Sequence, residues 1–183
     1  MKHIYTKEDI NPISRSQFWN IMNILVSKIK TYQEKNDLCF DLICPILRSG
    51  LIPATIIANQ CNIRDIHTLQ YWYISWEYTL LNNIYIQKNI LICETNTVTG
   101  KTAKKAIQHI QNIYPNSYIY YATVSKVYGS PNNYIWIQNY FWWIQANESW
   151  LKTKQEESKY NICPWIWIFP REDIEKELES VNT

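Results

Sequence analysis

Glycine is nearly missing from this chain: only Gly50, Gly100 and Gly129 occur among 183 residues, where an average protein has about 7%. Ile, Asn, Lys and Tyr are abundant instead, as an AT-rich coding composition would give, so the three survivors mark places where a side chain is not accepted. Long apolar runs are also lacking. Each is broken by polar residues well short of a membrane span, and the N-terminus, MKHIYTKEDI, has no continuous apolar core of a leader peptide. A soluble, cytoplasmic protein with no membrane partner is expected. Charge of one sign is scarce as well: the net charge is +2 and charged residues make up 19%. That leaves no basic surface broad enough for nucleic acid as the main partner and favours a small molecule. The five cysteines (Cys39, Cys44, Cys61, Cys93, Cys163) are an odd number without CxxC spacing, and His3, His67 and His109 are scattered singly. Zinc is excluded, and reduced, mostly buried thiols are expected.

What remains is the length for one substantial core, so residues 1–183 are expected to form a single domain. In SRSQFWNIMNILVSKIK, Phe18, Ile21, Met22, Leu25 and Ile29 fall at helical spacing, with Ser14 and Gln17 placed as a capping box. LCFDLICPI is a short apolar strand. LRSG follows and opens LIPATIIANQCNI, a helix with Pro53 near its first turn. IHTLQYWYISW predicts a strand leading through EYTLLNN and IYIQ to the strand NILICE; residues 101–114 predict a helix, and SYIYYATVSKV another strand. Strands alternating with crossover helices imply an α/β fold with a mostly parallel twisted sheet flanked by helices, in which ligands bind at the carboxyl ends of the strands. Gly50 and Gly100 each stand between a strand and a helix.

The stretch ILICETNTVTGKT therefore predicts an anion cradle. Threonine hydroxyls and Gly100 lead into a helix N-terminus, where unpaired N–H groups and the positive dipole end converge. An ordinary strand-to-helix turn is the plainer alternative. A P-loop would share the GKT ending but needs glycine at position 95, where Thr95 stands. A second loop, PILRSGLIPA, offers Arg48, Ser49 and Gly50 at another strand end, again entering a helix. Two cradles on neighbouring strands imply a ligand with phosphate at both ends; the alternative for Arg48 is a surface ion pair.

The pair FDLICPILRSGLIPATIIANQCNIRDIHTL and ILICETNTVTGKT resembles the type I phosphoribosyltransferases, most closely the xanthine-guanine and hypoxanthine group. ATVSKVYGSP and PWIWIFPRED extend the likeness over residues 40–173. The resemblance implies that family's fold, with a core at about 40–127 and a small base-recognition hood at about 128–173. It implies a purine phosphoribosyltransferase that moves a 5-phosphoribosyl group from phosphoribosyl pyrophosphate, with Mg²⁺, to a nucleobase. Val98, Thr99, Gly100, Lys101 and Thr102 would hold the 5′-phosphate; Arg48, Ser49 and Gly50, in a loop where family members often have a cis peptide, would hold the pyrophosphate. Glu94 and Thr95 occupy the places of the acidic pair, with Glu94 near the metal. Lys126 would donate to the base, and Trp165 would stack on it, unless Ile166 or Trp167 occupies that place. A dimer or tetramer is also implied. The plainer alternatives are a solvated strand-end lysine and a core tryptophan.

The departures from the family pattern are specific. Thr95 replaces the second acid and Val98 a third; Ser49 stands for glycine and Arg171 for tryptophan. Carboxylates beside a cationic transition state are each worth about 1–3 kcal/mol, so a noncatalytic phosphoribosyl pyrophosphate- or nucleotide-binding protein on the same fold is the second expectation. Residues 134–160, with an aromatic run and a charged stretch at 148–159, predict an insertion. It would pack against the sheet or a subunit, or form a lid or base pocket lined by Trp142, Trp143 or Trp150. SWEYTLLNN takes the place of the family's mobile active-site loop.

Overall fold

The structure, a computed structural model, describes residues 10–12, 15–72, 77–80, 88–97, 100–126, 137–145 and 165–167. In chain order the elements are β1 (Ile10–Pro12), α1 (Arg15–Lys35), β2 (Leu42–Pro45), α2 (Leu51–Gln60), β3 (Asp65–Ile66), β4 (Leu69–Trp72), β5 (Glu77–Leu80), β6 (Asn89–Thr97), α3 (Lys101–Ile113), β7 (Tyr118–Lys126), β8 (Ile137–Gln145) and β9 (Trp165–Trp167).

Helix α1 forms because Phe18, Ile21, Met22, Leu25, Val26 and Ile29 recur every three or four residues and make one buried stripe. It runs past the expected end to Lys35; Ser14 lies outside the described residues. Helix α2 buries Pro53, Ala54, Ile57 and Ala58, and α3 buries Ala103, Ala106, Ile107 and Ile110. The small residues let each helix lie close to the sheet.

Five strands form one sheet in the order β3-β2-β6-β7-β8, and every adjacent pair is parallel. Both faces are covered, which is why the strands read as near-continuous apolar runs. On one face Ile43, Leu91, Cys93, Tyr120 and Ala122 pack with α1 and α2; on the other Leu42, Ile90, Ile92, Ile119 and Tyr121 pack with α3.

Three sequence expectations are revised. The stretch read as one strand over 66–76 divides: β3 joins the main sheet, and β4 turns away to pair antiparallel with β5. IYIQ lies outside the described residues. The aromatic run inside 134–160 is β8, which continues the main sheet beside β7 from Ile119↔Ile137 to Lys126↔Gln145. The sheet thus extends beyond residue 127. Of the thiols, Cys44 and Cys93 are buried and Cys61 partly so, while Cys39 is exposed; Cys163 is outside the described residues.

This strand order locates a crevice. From β2 the chain crosses through α2 on one face to β3; from β6 it crosses through α3 on the opposite face to β7. The loops leaving adjacent β2 and β6 therefore part at their carboxyl ends, the switch point where open α/β sheets take ligands.

Candidate functional site at the β2–β6 switch point

Residues 46–50 are fastened to their neighbours by backbone. Ile46 N–H donates to Cys93 O at 2.8 Å, Leu47 N–H to Leu69 O at 2.8 Å, and Gly50 N–H to Ile46 O at 3.0 Å. Gly50 has an ordinary φ of −67°, so its requirement is space. A Cβ there would sit 2.5 Å from Cys93 O and 2.7 Å from Ile46 O, both backbone atoms. The Leu47–Arg48 peptide is cis, as the family resemblance implies for this loop. Pinned on both sides, the loop leaves Arg48 and Ser49 exposed.

Across the switch point, Gly100 caps α3 in the left-handed region, with φ 73° and ψ 3°. Here the requirement is conformational, since other residues rarely adopt that backbone. Lys101 and Thr102 follow in the first helical turn, where amides have no intrahelical acceptor. Val98 and Thr99 lie outside the described residues.

Glu94 stands near the carboxyl end of β6, one residue beyond the Pro45↔Cys93 pair. It is half-buried on β6, and its Oε2 accepts a 2.5 Å hydrogen bond from the Tyr121 hydroxyl. Thr97 Oγ1 lies 2.9 Å from that same phenol oxygen. With the phenol proton committed to Glu94, Thr97 is the donor, giving a chain Thr97→Tyr121→Glu94. Burial pushes the Glu94 carboxyl up to about 7, against the lowering effect of the Tyr121 hydrogen bond.

Thr95 is placed apart from Glu94. It is 2% exposed, and its hydroxyl donates to Ser49 O at 2.7 Å, while its own carbonyl accepts from Thr123 Oγ1 at 3.1 Å. Asn96 Oδ1 accepts from Ser125 Oγ. A ladder of hydroxyls thus joins β7 to β6 and β6 to the Arg48 loop. Tyr121, Thr123 and Ser125 were not anticipated. Their period-2 polar spacing in YIYYATVSK was visible, but its use depends on the register that sets Glu94 beside Thr123 and Asn96 beside Ser125.

Lys126 ends β7 opposite Thr97. It is only 1% exposed, so it is not the solvated lysine of the plainer expectation. Its ammonium lies 6.0 Å from the centroid of the Tyr140 ring, at the outer range of a cation–π contact, and Tyr140 packs on Tyr121 with centroids 5.1 Å apart. Burial lowers the Lys126 pKa. Lys126 is thereby brought beside Tyr140, which packs on the tyrosine that holds Glu94. Trp165 and Ile166 are instead in β9, which pairs parallel with β1 in a separate two-stranded sheet. Trp142 and Trp143 fall in β8, and Trp150 lies outside the described residues.

As a cation site the donor set is thin. Among the described residues no group of three or more His, Cys, Asp and Glu side chains converges. Glu94 offers one carboxylate, which fits Mg²⁺ arriving mainly on a substrate's own phosphates and waters, and does not fit an all-protein cage.

No family model and no curated protein matches the sequence. Solved structures do. A purine phosphoribosyltransferase from Pyrococcus horikoshii superposes with a TM-score of 0.61 at 17% identity, over 91% of this chain and 96% of that one. A xanthine-guanine-hypoxanthine phosphoribosyltransferase from Helicobacter pylori gives 0.62 at 16% identity, over 93% and 99%. The fold is that of the type I phosphoribosyltransferases. A hypothetical protein from Neisseria gonorrhoeae with bound ppGpp shares it too, with a TM-score of 0.64 at 14% identity over 98% of this chain and 100% of that one. Within this phosphoribosyltransferase fold, the expected α/β architecture and parallel sheet are observed, and the switch-point crevice is flanked by the Arg48 and Gly100 loops. Among the described residues no helix is long and apolar enough to cross a membrane.

Proposed function

We propose that this protein is a purine phosphoribosyltransferase, joining a purine to the 5-phosphoribosyl group of phosphoribosyl pyrophosphate and releasing pyrophosphate. The observation that carries the proposal is that the Arg48 loop and the Gly100 turn, each leading into a helix, leave the ends of the adjacent parallel strands β2 and β6, with Glu94 near the end of β6. A sugar carrying phosphate at both ends would call for two such loops. The resemblance of both loops to the family's two phosphate loops supports the same assignment.

In the proposed reaction a purine ring nitrogen bonds to ribose C1′ as the C1′–O bond to pyrophosphate breaks. The electron pair leaves with pyrophosphate, and the proton displaced from the ring nitrogen passes to solvent. The transition state resembles an oxocarbenium ion, so the protein contributes position and charge rather than a covalent nucleophile. Arg48, on a loop pinned by the backbone hydrogen bonds of Ile46, Leu47 and Gly50, orients the leaving group. The Gly100 loop and the first turn of α3 anchor the 5′-phosphate. Glu94, held by Tyr121, supplies negative character beside the sugar, and Lys126 donates to an exocyclic oxygen of the base. Mg²⁺ bound to the substrate would neutralise pyrophosphate charge as it leaves.

A second reading, a noncatalytic nucleotide binder, is favoured by Thr95, which stands where the family has an acid and is turned to Ser49. The Neisseria protein with bound ppGpp, which shares the fold, supports it as well. The deciding experiment incubates purified protein with phosphoribosyl pyrophosphate, Mg²⁺ and a panel of purine and pyrimidine bases, followed by mass spectrometry for new nucleotides. A nucleotide from a purine establishes the transferase. Silence across the panel, with nucleotide or ppGpp binding retained, establishes the binder.

A further inference from the structure

We infer that Thr95 is a positioning residue for the Arg48 loop, acting through its hydrogen bond to the Ser49 carbonyl, and that position 95 is not a vacant acid site. The inference rests on the proposed role of that loop as the pyrophosphate cradle. Four observations converge on it. Thr95 is buried and its hydroxyl donates to Ser49 O at 2.7 Å. Two residues earlier on β6, Cys93 accepts the Ile46 amide at 2.8 Å. Its carbonyl oxygen would be 2.5 Å from any Cβ at Gly50, so β6 and the loop are already in close backbone contact. Finally, the Thr123 hydroxyl, its one proton shared between Thr95 O at 3.1 Å and Ser125 O at 2.9 Å, ties this clamp to β7, the strand that ends at Lys126.

The chemistry follows from donor and acceptor types. A carbonyl can only accept, so a residue facing Ser49 O must bring a proton. Threonine does so from a buried side chain, in a part-buried contact where losing the donor is costly. An ionised aspartate at 95 would bring no proton to that carbonyl, and this link to the loop would be lost. Valine keeps the shape of threonine without the proton. Serine keeps the proton.

The test is calorimetry on the full chain with two probes, pyrophosphate and ribose 5-phosphate, for wild type, Thr95→Ser, Thr95→Val and Thr95→Asp. Thr95→Ser is expected to retain both affinities. Thr95→Val and Thr95→Asp are expected to lose about 10-fold or more for pyrophosphate, the equivalent of one lost hydrogen bond, while ribose 5-phosphate stays within about 2-fold. A merely structural role would lower the melting temperature and weaken both ligands together. Should Thr95→Val fail to fold, Thr95→Ala, which leaves a small void, carries the same comparison. Unchanged pyrophosphate binding in the folded Val or Ala variant overturns the inference, as does equal loss of both ligands or better binding in Thr95→Asp. Wild type that binds neither probe overturns the proposed function itself, a separate and recognisable outcome.

Discussion

Tyr121 and Glu94, on adjacent strands, meet through a 2.5 Å hydrogen bond in which the phenol donates to the carboxyl. Tyr121 is fully buried and Thr97 Oγ1 lies 2.9 Å from its hydroxyl. The carboxyl proposed to face the sugar therefore has its position set from within the sheet. Tyr121→Phe removes that donor. The expected result is a loss of about 1–3 kcal/mol of stability in urea denaturation and an upward movement of the Glu94 titration, since the hydrogen bond is what lowers it. A variant matching wild type in both would show that Glu94 is held by something else.

Glu94 also makes stability depend on pH in a defined direction. Its folded value, about 7, exceeds its ordinary value of 4.5, so the folded state keeps a proton that the unfolded chain releases. Its contribution is fully present below about 4.5, declines as pH rises towards 7, and is constant above that. For a half-buried group the change is about 1–2 kcal/mol after allowance for solvent screening. Glu94→Gln is expected to abolish this slope. Denaturation midpoints for both proteins across that window check it; a constant difference between them contradicts it.

The two cradle glycines should fail differently. Gly50→Ala places a Cβ against two carbonyl oxygens, at 2.5 and 2.7 Å, and is expected to lose about 1–3 kcal/mol from overpacking; Gly50→Asn is expected to be worse. Gly100 has φ 73°, so Gly100→Ala is expected to lose about 1–2 kcal/mol through its backbone. Gly100→Asn is expected to recover part of this, because asparagine tolerates the left-handed region. Melting temperatures of the four variants suffice. Asparagine being equally harmful at both sites would mean the two glycines share one cause.

Lys126 is buried beside Tyr140, and its desolvation opposes its charge. Lys126→Ala is expected to lose discrimination among bases while phosphoribosyl pyrophosphate binding stays within about 2-fold. Competition between hypoxanthine and adenine, alongside calorimetry, separates these effects. Unaltered base preference would remove Lys126 from the base pocket.

Much of this was legible before any coordinates. The stripe in α1, the small-residue faces of α2 and α3, and the apolar β2, β6 and β7 follow from periodicity, because burial on one helical face or both sheet faces leaves a direct compositional trace. Gly50 and Gly100 stood out because side chains there fail for local reasons. β8 did not stand out: an aromatic run has no period that separates a strand from a packed insertion. Nor did the break at His67 and Thr68, where β3 and β4 part into different sheets. Tyr121 and Thr95 were hidden for a further reason. Their roles are cross-strand and strand-to-loop hydrogen bonds, fixed by a register between residues 27 to 46 apart in sequence, and no local pattern carries that register.

The most direct measurement is calorimetric titration with phosphoribosyl pyrophosphate, ribose 5-phosphate and pyrophosphate, in the presence of Mg²⁺, on wild type and Arg48→Ala. A crevice built for phosphate at both ends should bind phosphoribosyl pyrophosphate at least about 10-fold more tightly than either half. Arg48→Ala should bring it down to about the affinity of ribose 5-phosphate, whose own binding stays unchanged. Phosphoribosyl pyrophosphate binding no tighter than its halves, or indifferent to Arg48, would contradict the two-cradle site.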